Sequence, residues 1–231
     1  MEKKPKKILL GLTTTPGSDW REKVEEMKRF GIREVALFPT YLVKKDREEL
    51  YGLLEDIEGL NIPHVHLREE DMAAEELAYL DDRYHPVAFN VHVSAHGTNG
   101  LVGYRDRIYV ENQSDPFPAG IFDEYAGLCL DTQHLKYARF RSPKVYREVK
   151  GFLAENVTVG CCHISPFPAL RNYFRRRRLG VESHYMIDIR EYDYVKEYVG
   201  YLPEYVSIEA ENSFEEQIAI KEYLEKIING Q

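Results

Sequence analysis

Apolar residues along the chain keep two rhythms that take turns: short runs with period two, and longer stretches with apolar positions three and four apart. The first rhythm predicts strands and the second helices. Ile8 to Thr13 reads as the first strand. After Pro16-Gly17, Ser18 or Asp19 caps a helix over Trp20 to Phe30, with Trp20, Val24, Met27 and Phe30 on one face and Gly31 as its stop. Glu34 to Pro39 is the second strand. A helix opening at Asp46 carries Leu50, Leu53, Leu54 and Ile57 and closes at Gly59. Ile62 to Leu67 is the third strand, with a short helix from Asp71 to Leu80 behind it. Val87 to Val93 and Arg107 to Asn112 are the fourth and fifth strands, and only about a dozen residues join them, too few for a full loop, helix and loop. Phe122 to Ala126 is a short helix before the sixth strand, Gly127 to Asp131. A helix over Pro143 to Leu153, a seventh strand over Val157 to Ser165, a long basic loop and a helix near Tyr192 to Val199 follow. The eighth strand is Val206 to Ala210. The last helix, Phe214 to Ile228, is expected to bury Phe214, Ile218, Tyr223, Leu224 and Ile227.

Strands alternating with helices predict a parallel sheet with crossover connections. No repeat, linker or low-complexity tract divides the chain, so residues 1–231 read as one domain. The expected fold is a (β/α)8 TIM barrel with a shortened connection between strands 4 and 5; an open doubly wound sheet is the alternative.

In a barrel, alternate residues of each strand face the lumen, and the carboxyl ends of the strands build the site. The apolar sets Val65/Leu67, Phe89/Val91/Val93, Ile108/Val110, Leu128/Leu130, Cys162/Ile164 and Val206/Ile208/Ala210 are expected to face the helices. That turns His64 and His66, Asn90 and His92, Tyr109 and Glu111, Asp131, then Val159, Cys161 and His163, and finally Ser207 and Glu209 inward. Six strands thereby deliver His66, His92, Glu111, Asp131, His163 and Glu209 to one mouth. A single acid at a strand end is more often a helix cap or an ion-pair partner than a ligand; it is the joint parity that points to a site. Three carboxylates buried together repel, and either protonation or a cation relieves them. A divalent metal held by Glu111, Asp131, His163 and Glu209 is the simplest solution, and the mixed oxygen and imidazole set suits Mn, Mg, Co or Zn. His134, just past Asp131, is then a supporting, substrate-binding or additional-metal group.

Composition narrows the classes. With a net charge of −8 and a pI near 5.6, bulk electrostatic coating of nucleic acid or anionic lipid is disfavoured. The odd count of three cysteines offers no disulfide framework and suits a reducing cytoplasm, and Cys129, Cys161 and Cys162 read as small buried residues. The basic start MEKKPKK ahead of ILLGL imitates a secretory signal, but the apolar run ends in Thr13, Thr14 and Thr15, so it reads as the first strand. No stretch is long enough to span a membrane.

The strand-end motifs "VEN" at Glu111, "LCLDTQH" at Asp131 and His134, "CCHIS" at His163 and "SIEAEN" at Glu209 together resemble the xylose isomerase-like TIM-barrel superfamily. That superfamily joins sugar and sugar phosphate isomerases and epimerases with nucleases of the endonuclease IV type. The epimerase branch implies one metal on Glu111, Asp131, His163 and Glu209. The two glutamates would double as catalytic acid and base through an enediolate, and a sugar or sugar phosphate would be the substrate. Under it, His134, Arg175, Arg178 and His184 are the expected substrate-binding residues. The nuclease branch implies zinc ligation by His66, His92 and His134 as well, with abasic-site DNA as partner. Where its Asp-x-His would stand, this chain has Arg175 to Arg178, which suits an anion or a solvated basic loop. A barrel that binds metal or ligand without turnover is a third reading. Oligomeric state is not legible.

Overall fold

Each expected strand pairs in parallel with its sequence neighbour, and the last pairs back to the first. The computed structural model describes residues 5–92, 99–168 and 184–230. Its strands are β1 (Lys7–Thr13), β2 (Glu34–Phe38), β3 (Asn61–His66), β4 (Ala88–His92), β5 (Ile108–Glu111), β6 (Gly127–Asp131), β7 (Val159–Ile164) and β8 (Tyr205–Ile208). β8 meets β1 through Ile8 opposite Val206 and Leu9 opposite Ser207, which closes the ring and rules out the open doubly wound sheet. The helices are α1 (Trp20–Phe30), α2 (Lys44–Glu55), α3 (Ala74–Tyr84), α4 (Ile121–Glu124), α5 (Thr132–Arg141), α6 (Pro143–Ala154) and α7 (Phe214–Asn229). In the shortened β4–β5 connection the described part is a 3-10 helix, Asn99–Arg107. No helix among the described residues is long and apolar enough to cross a membrane.

The outward set of the parity argument forms one continuous core with the helices: Val65, Leu67, Phe89, Val91, Ile108, Val110, Leu128, Leu130, Cys162, Ile164, Val206, Ile208 and Ala210 all belong to it. Val93 lies outside the described residues. The lumen is separate. Leu9, Ala36 and Phe38 pack on one side of it, and Ala88, Cys129 and Cys161 with Tyr109 on the other. Above them the Phe38 ring meets His64 and His163 edge-on, with centroids 5.8 and 5.0 Å apart, so an apolar floor supports a layer of imidazoles.

Several expectations are corrected. Val159 faces the helix layer, not the lumen, because β7 bulges at Gly160: Leu128 stands opposite Val159, but the next residue, Cys129, stands opposite Cys161. The bulge makes room for Tyr109, whose ring lies 1.9 Å from where a Gly160 Cβ would sit. Phe30, the last residue of α1 before the left-handed turn at Gly31, is 45% exposed rather than buried. On α7 the buried side is Phe214, Gln217, Ile220, Leu224 and Ile228, and Ile218, Tyr223 and Ile227 only flank it. Gln217 hides that face from a hydrophobicity reading; its amide donates to the Gly11, Ala210 and Asn212 carbonyls and accepts from Gly11 N. The helix expected near Tyr192 to Val199 is a 3-10 helix at Ile189–Glu197, and α5 was not expected at all.

Gly127, which opens β6, has φ +148, and a Cβ there would stand 2.2 Å from the Thr158 carbonyl oxygen that accepts from Leu128 N. Gly127→Ala is therefore expected to cost about 3 kcal/mol. A urea-unfolding midpoint unchanged from that of the parent would refute this.

Candidate metal centre

β6 ends on Asp131 and α5 starts one residue later, so the aspartate does two jobs. Its Oδ1 caps α5, accepting from His134 N at 2.6 Å. Its Oδ2 is buried and has no hydrogen-bond partner; His134 Nε2 stands 3.8 Å away. The backbone at this point is clamped by Asn112, whose Oδ1 accepts from Asp131 N and whose Nδ2 donates to Asp131 O, both at 2.9 Å. Burial lifts the Asp131 carboxyl to about 7, His134 opposes the rise, and Glu111 and Glu209 add to it.

His163, from β7, leaves a second buried atom unpaired. Its Nδ1 has no hydrogen-bond partner, although Glu111 Oε2 is 3.5 Å and Glu209 Oε2 3.8 Å away. Burial pushes this imidazole well below its usual range against the pull of Glu111, so the ring is a neutral base. Glu111, at the end of β5, is 3% exposed. Burial alone would raise its carboxyl, but the surrounding imidazoles, His163 and His66 foremost, pull it well below the usual carboxylate range. Glu209 follows directly on β8, its N–H continuing the ladder to Ile164 O at 3.0 Å. It accepts from Ser165 Oγ at 3.2 Å and lies 3.7 Å from His184 Nε2.

On the other side of Glu111 sit His66 and His92, with ring centroids 4.7 Å apart. The His66 Nδ1–H donates to Leu67 O at 2.9 Å, which turns Nε2 toward Glu111 Oε2, also at 2.9 Å. His92 is held through Nδ1 by Glu69 Oε1 at 2.7 Å, which leaves Nε2 as the nitrogen a cation would take. Burial disfavours its charged form, yet Glu69, with Glu111 and Glu209 beyond, lifts it to about 9. Anchoring one ring nitrogen on a carbonyl or carboxylate is how proteins present the other nitrogen to a metal.

The structure brings together His66, His92, Glu111, Asp131, His163 and Glu209, the six that strand parity turns inward, and sets His134 and His184 beside them. Arg175 and Arg178 lie outside the described residues. In each of three groups, His66/His92/Glu111, Glu111/Asp131/His134 and Asp131/His163/Glu209, one ligand atom per residue lies within 4.8 Å of the others. Donors around a single divalent ion stand roughly 3 to 4 Å apart, so modest closure onto a cation would satisfy each set. Of the eight buried side-chain atoms without a hydrogen-bond partner among the described residues, Asp131 Oδ2 and His163 Nδ1 fall together in the third group. Buried polar atoms are rarely left without a partner, and a metal is the partner that both a carboxylate oxygen and an imidazole lone pair accept. The residues therefore fit a divalent ion.

Of the strand-end residues, His66, His92, Glu111 and Glu209 line a cavity of about 450 Å³, together with His134, His184 and Arg68. Another hollow, about 440 Å³, lies on the outer face against Tyr51 and Tyr79 and carries none of the strand-end residues. Asn112 and Glu69, which hold candidate ligands, were not singled out from the sequence, and Asn90 was expected in the lumen but given no role. A signal for Asn112 was present, because the "EN" of Glu111-Asn112 recurs at Glu211-Asn212, where Asn212 clamps Met186 N and O in the same manner.

No family model matches the chain, and no curated protein is similar to it. Among solved structures, it is similar to the crystal structure of the probable 3-DHS dehydratase AsbF, involved in petrobactin synthesis, from Bacillus anthracis, with 14% identity over 95% of this chain and 98% of that one and a TM-score of 0.46. By its own strand pairing the chain is one closed (β/α)8 barrel, the fold of the xylose isomerase-like enzymes that its strand-end motifs resemble.

Proposed function

We propose that this protein is a metal-dependent isomerase or epimerase of a small sugar or sugar phosphate. The observation that carries the reading is the pair of buried unpaired atoms, Asp131 Oδ2 and His163 Nδ1, between two glutamates that both reach the cavity. Glu111, Asp131, His163 and Glu209 would hold the ion. When bound, a divalent metal polarises a substrate carbonyl and makes the neighbouring C–H more acidic. Proton removal and return then fall to Glu111 and Glu209, whose Oε2 atoms lie 3.5 and 3.8 Å from His163 Nδ1. His134 and His184 line the same cavity and are placed to contact substrate oxygens, and Tyr41, 57% exposed, offers a flat apolar face to a sugar ring. Among the described residues the cavity sets Glu69, Glu70, Glu111 and Glu209 beside one guanidinium, Arg68.

A second reading, a zinc-dependent abasic-site phosphodiesterase, has one specific observation in its favour. His66 and His92, each anchored through Nδ1, form a second ligand group with Glu111. Elemental analysis of the purified protein, with anomalous scattering from its crystals, separates the two. One ion per chain on Glu111, Asp131, His163 and Glu209, with deuterium from solvent entering an accepted sugar, is the expected result. Two or more zinc ions per chain, with cleavage of an abasic-site duplex that is lost in His66→Ala and His92→Ala, would replace the first reading by the second. A protein that retains no divalent ion would overturn both.

A further inference from the structure

We infer that Asn90 is the positioning residue that decides which nitrogen of His163 faces the cation position. The inference rests on the metal-centre reading for its purpose, but its geometry stands apart from any bound ion. Asn90 lies in the middle of β4 with its side chain in the lumen, and it is completely buried. Three partners surround its amide: Glu111 Oε2 at 3.1 Å, His64 Nε2 at 2.9 Å and His163 Nε2 at 3.3 Å.

The chemistry of the partners fixes the amide. An ionised carboxylate only accepts, so Nδ2 must face Glu111 and Oδ1 must face the two imidazoles. An amide oxygen also only accepts, so each imidazole must present N–H. For His64 this places the proton on Nε2 and leaves Nδ1 to accept from Ser207 Oγ, 2.7 Å away. For His163 it likewise places the proton on Nε2 and leaves the lone pair on Nδ1. That is the atom 3.5 Å from Glu111 Oε2 and 3.8 Å from Glu209 Oε2. Cys129 Sγ, 3.4 Å from the same His163 Nε2, is a weaker neighbour on the lumen side. Ser207, His64 and Asn90 thus form a chain that ends on two candidate ligands at once.

Few side chains could replace it. One carboxylate acceptor and two N–H donors need a group with a donor and an acceptor on one short branch point, which asparagine supplies. Aspartate would offer acceptors to both imidazoles but put a second negative charge against Glu111. Alanine or leucine would leave His163 free to take the proton on Nδ1 and donate it to Glu111 or Glu209, which blocks the nitrogen a metal needs.

The test is long-range ¹H–¹⁵N NMR of the metal-free protein with ¹⁵N-labelled histidine. The expected result is His163 as the Nε2–H tautomer in the parent and a shift toward Nδ1–H in Asn90→Ala. Zinc alone, titrated against a chelator, should bind Asn90→Ala about 10- to 100-fold more weakly. Should that variant not fold, Ser207→Ala, at the far end of the chain, should change the His64 resonances in step with those of His163. His163 found as Nδ1–H in the parent, or a tautomer insensitive to both substitutions, overturns the inference. Zinc that binds neither parent nor variant, with the tautomer as expected, counts against the metal reading and leaves the orienting role of Asn90 in place.

Discussion

Asp131→Asn is expected to make the metal-free protein more stable than its parent at pH 8 and no more stable at pH 5. The Asp131 carboxyl is raised from an ordinary 3.8 to about 7, by burial first, with Glu111 and Glu209 adding and His134 opposing. A carboxyl raised on folding contributes stability that is complete below its unfolded value and lost as pH rises through its folded value. Between about pH 4 and pH 7 the parent therefore gives up the advantage of a buried neutral acid, worth at most about 4 kcal/mol. Asparagine has no proton to lose, and its Oδ1 keeps the cap on α5 that Asp131 makes through His134 N. His92, lifted to about 9, loses stability over the same rise in pH in both proteins, whereas His134 is raised chiefly by Asp131 and contributes in the parent, so the difference between the two curves reports Asp131 together with its His134 partner. Added zinc should narrow the difference at pH 8. At a hundredfold excess over its dissociation constant it stabilises the parent by about 2.7 kcal/mol, and the variant by much less. Parallel stability curves from pH 5 to pH 8 would show that Asp131 is not the titrating acid.

The barrel was legible because its signal is local and repeated. Each strand carries apolar residues of one parity, and that parity turned His64, His66, Asn90, Glu111, Asp131, His163 and Glu209 inward without any knowledge of long-range contacts. What failed to show were features whose cause lies elsewhere in space. Val159 reverses its side because a tyrosine from β5, two strands away, needs the room over Gly160. α5 is hard to see because Thr132 and Gln133 are its buried first residues while Phe140, 68% exposed, faces away from the core. Its best marker was the aspartate itself, read as a ligand but not as a cap. Asn90 and Asn112 are ordinary amides in the sequence; they matter through partners on other strands. The two metal-ligand groups that share Glu111 were implied by the resemblance. Only the three-dimensional arrangement shows that His66 and His92 are both anchored through Nδ1, on Leu67 O and Glu69 Oε1.

Glu209→Gln is expected to separate ion binding from proton transfer. Glu209 stands past the end of β8, with its side chain 14% exposed at the cavity wall, and accepts one hydrogen bond from Ser165. Glutamine preserves the shape, the Ser165 bond and one oxygen that can still touch a metal, but it neither takes nor returns a proton at neutral pH. Turnover of an accepted sugar, and deuterium exchange from solvent into it, should therefore fall by about 10²- to 10⁴-fold. KM and metal content should stay close to those of the parent. Glu111→Gln should behave differently, because Glu111 accepts from Asn90 and meets the His66 Nε2 within the lumen. A neutral amide there breaks the arrangement that orients His163, so metal content should fall along with turnover. If Glu209→Gln retained full exchange, Glu209 would be a ligand alone. The proton would then move through Glu111 and another group that lines the same cavity, such as His134.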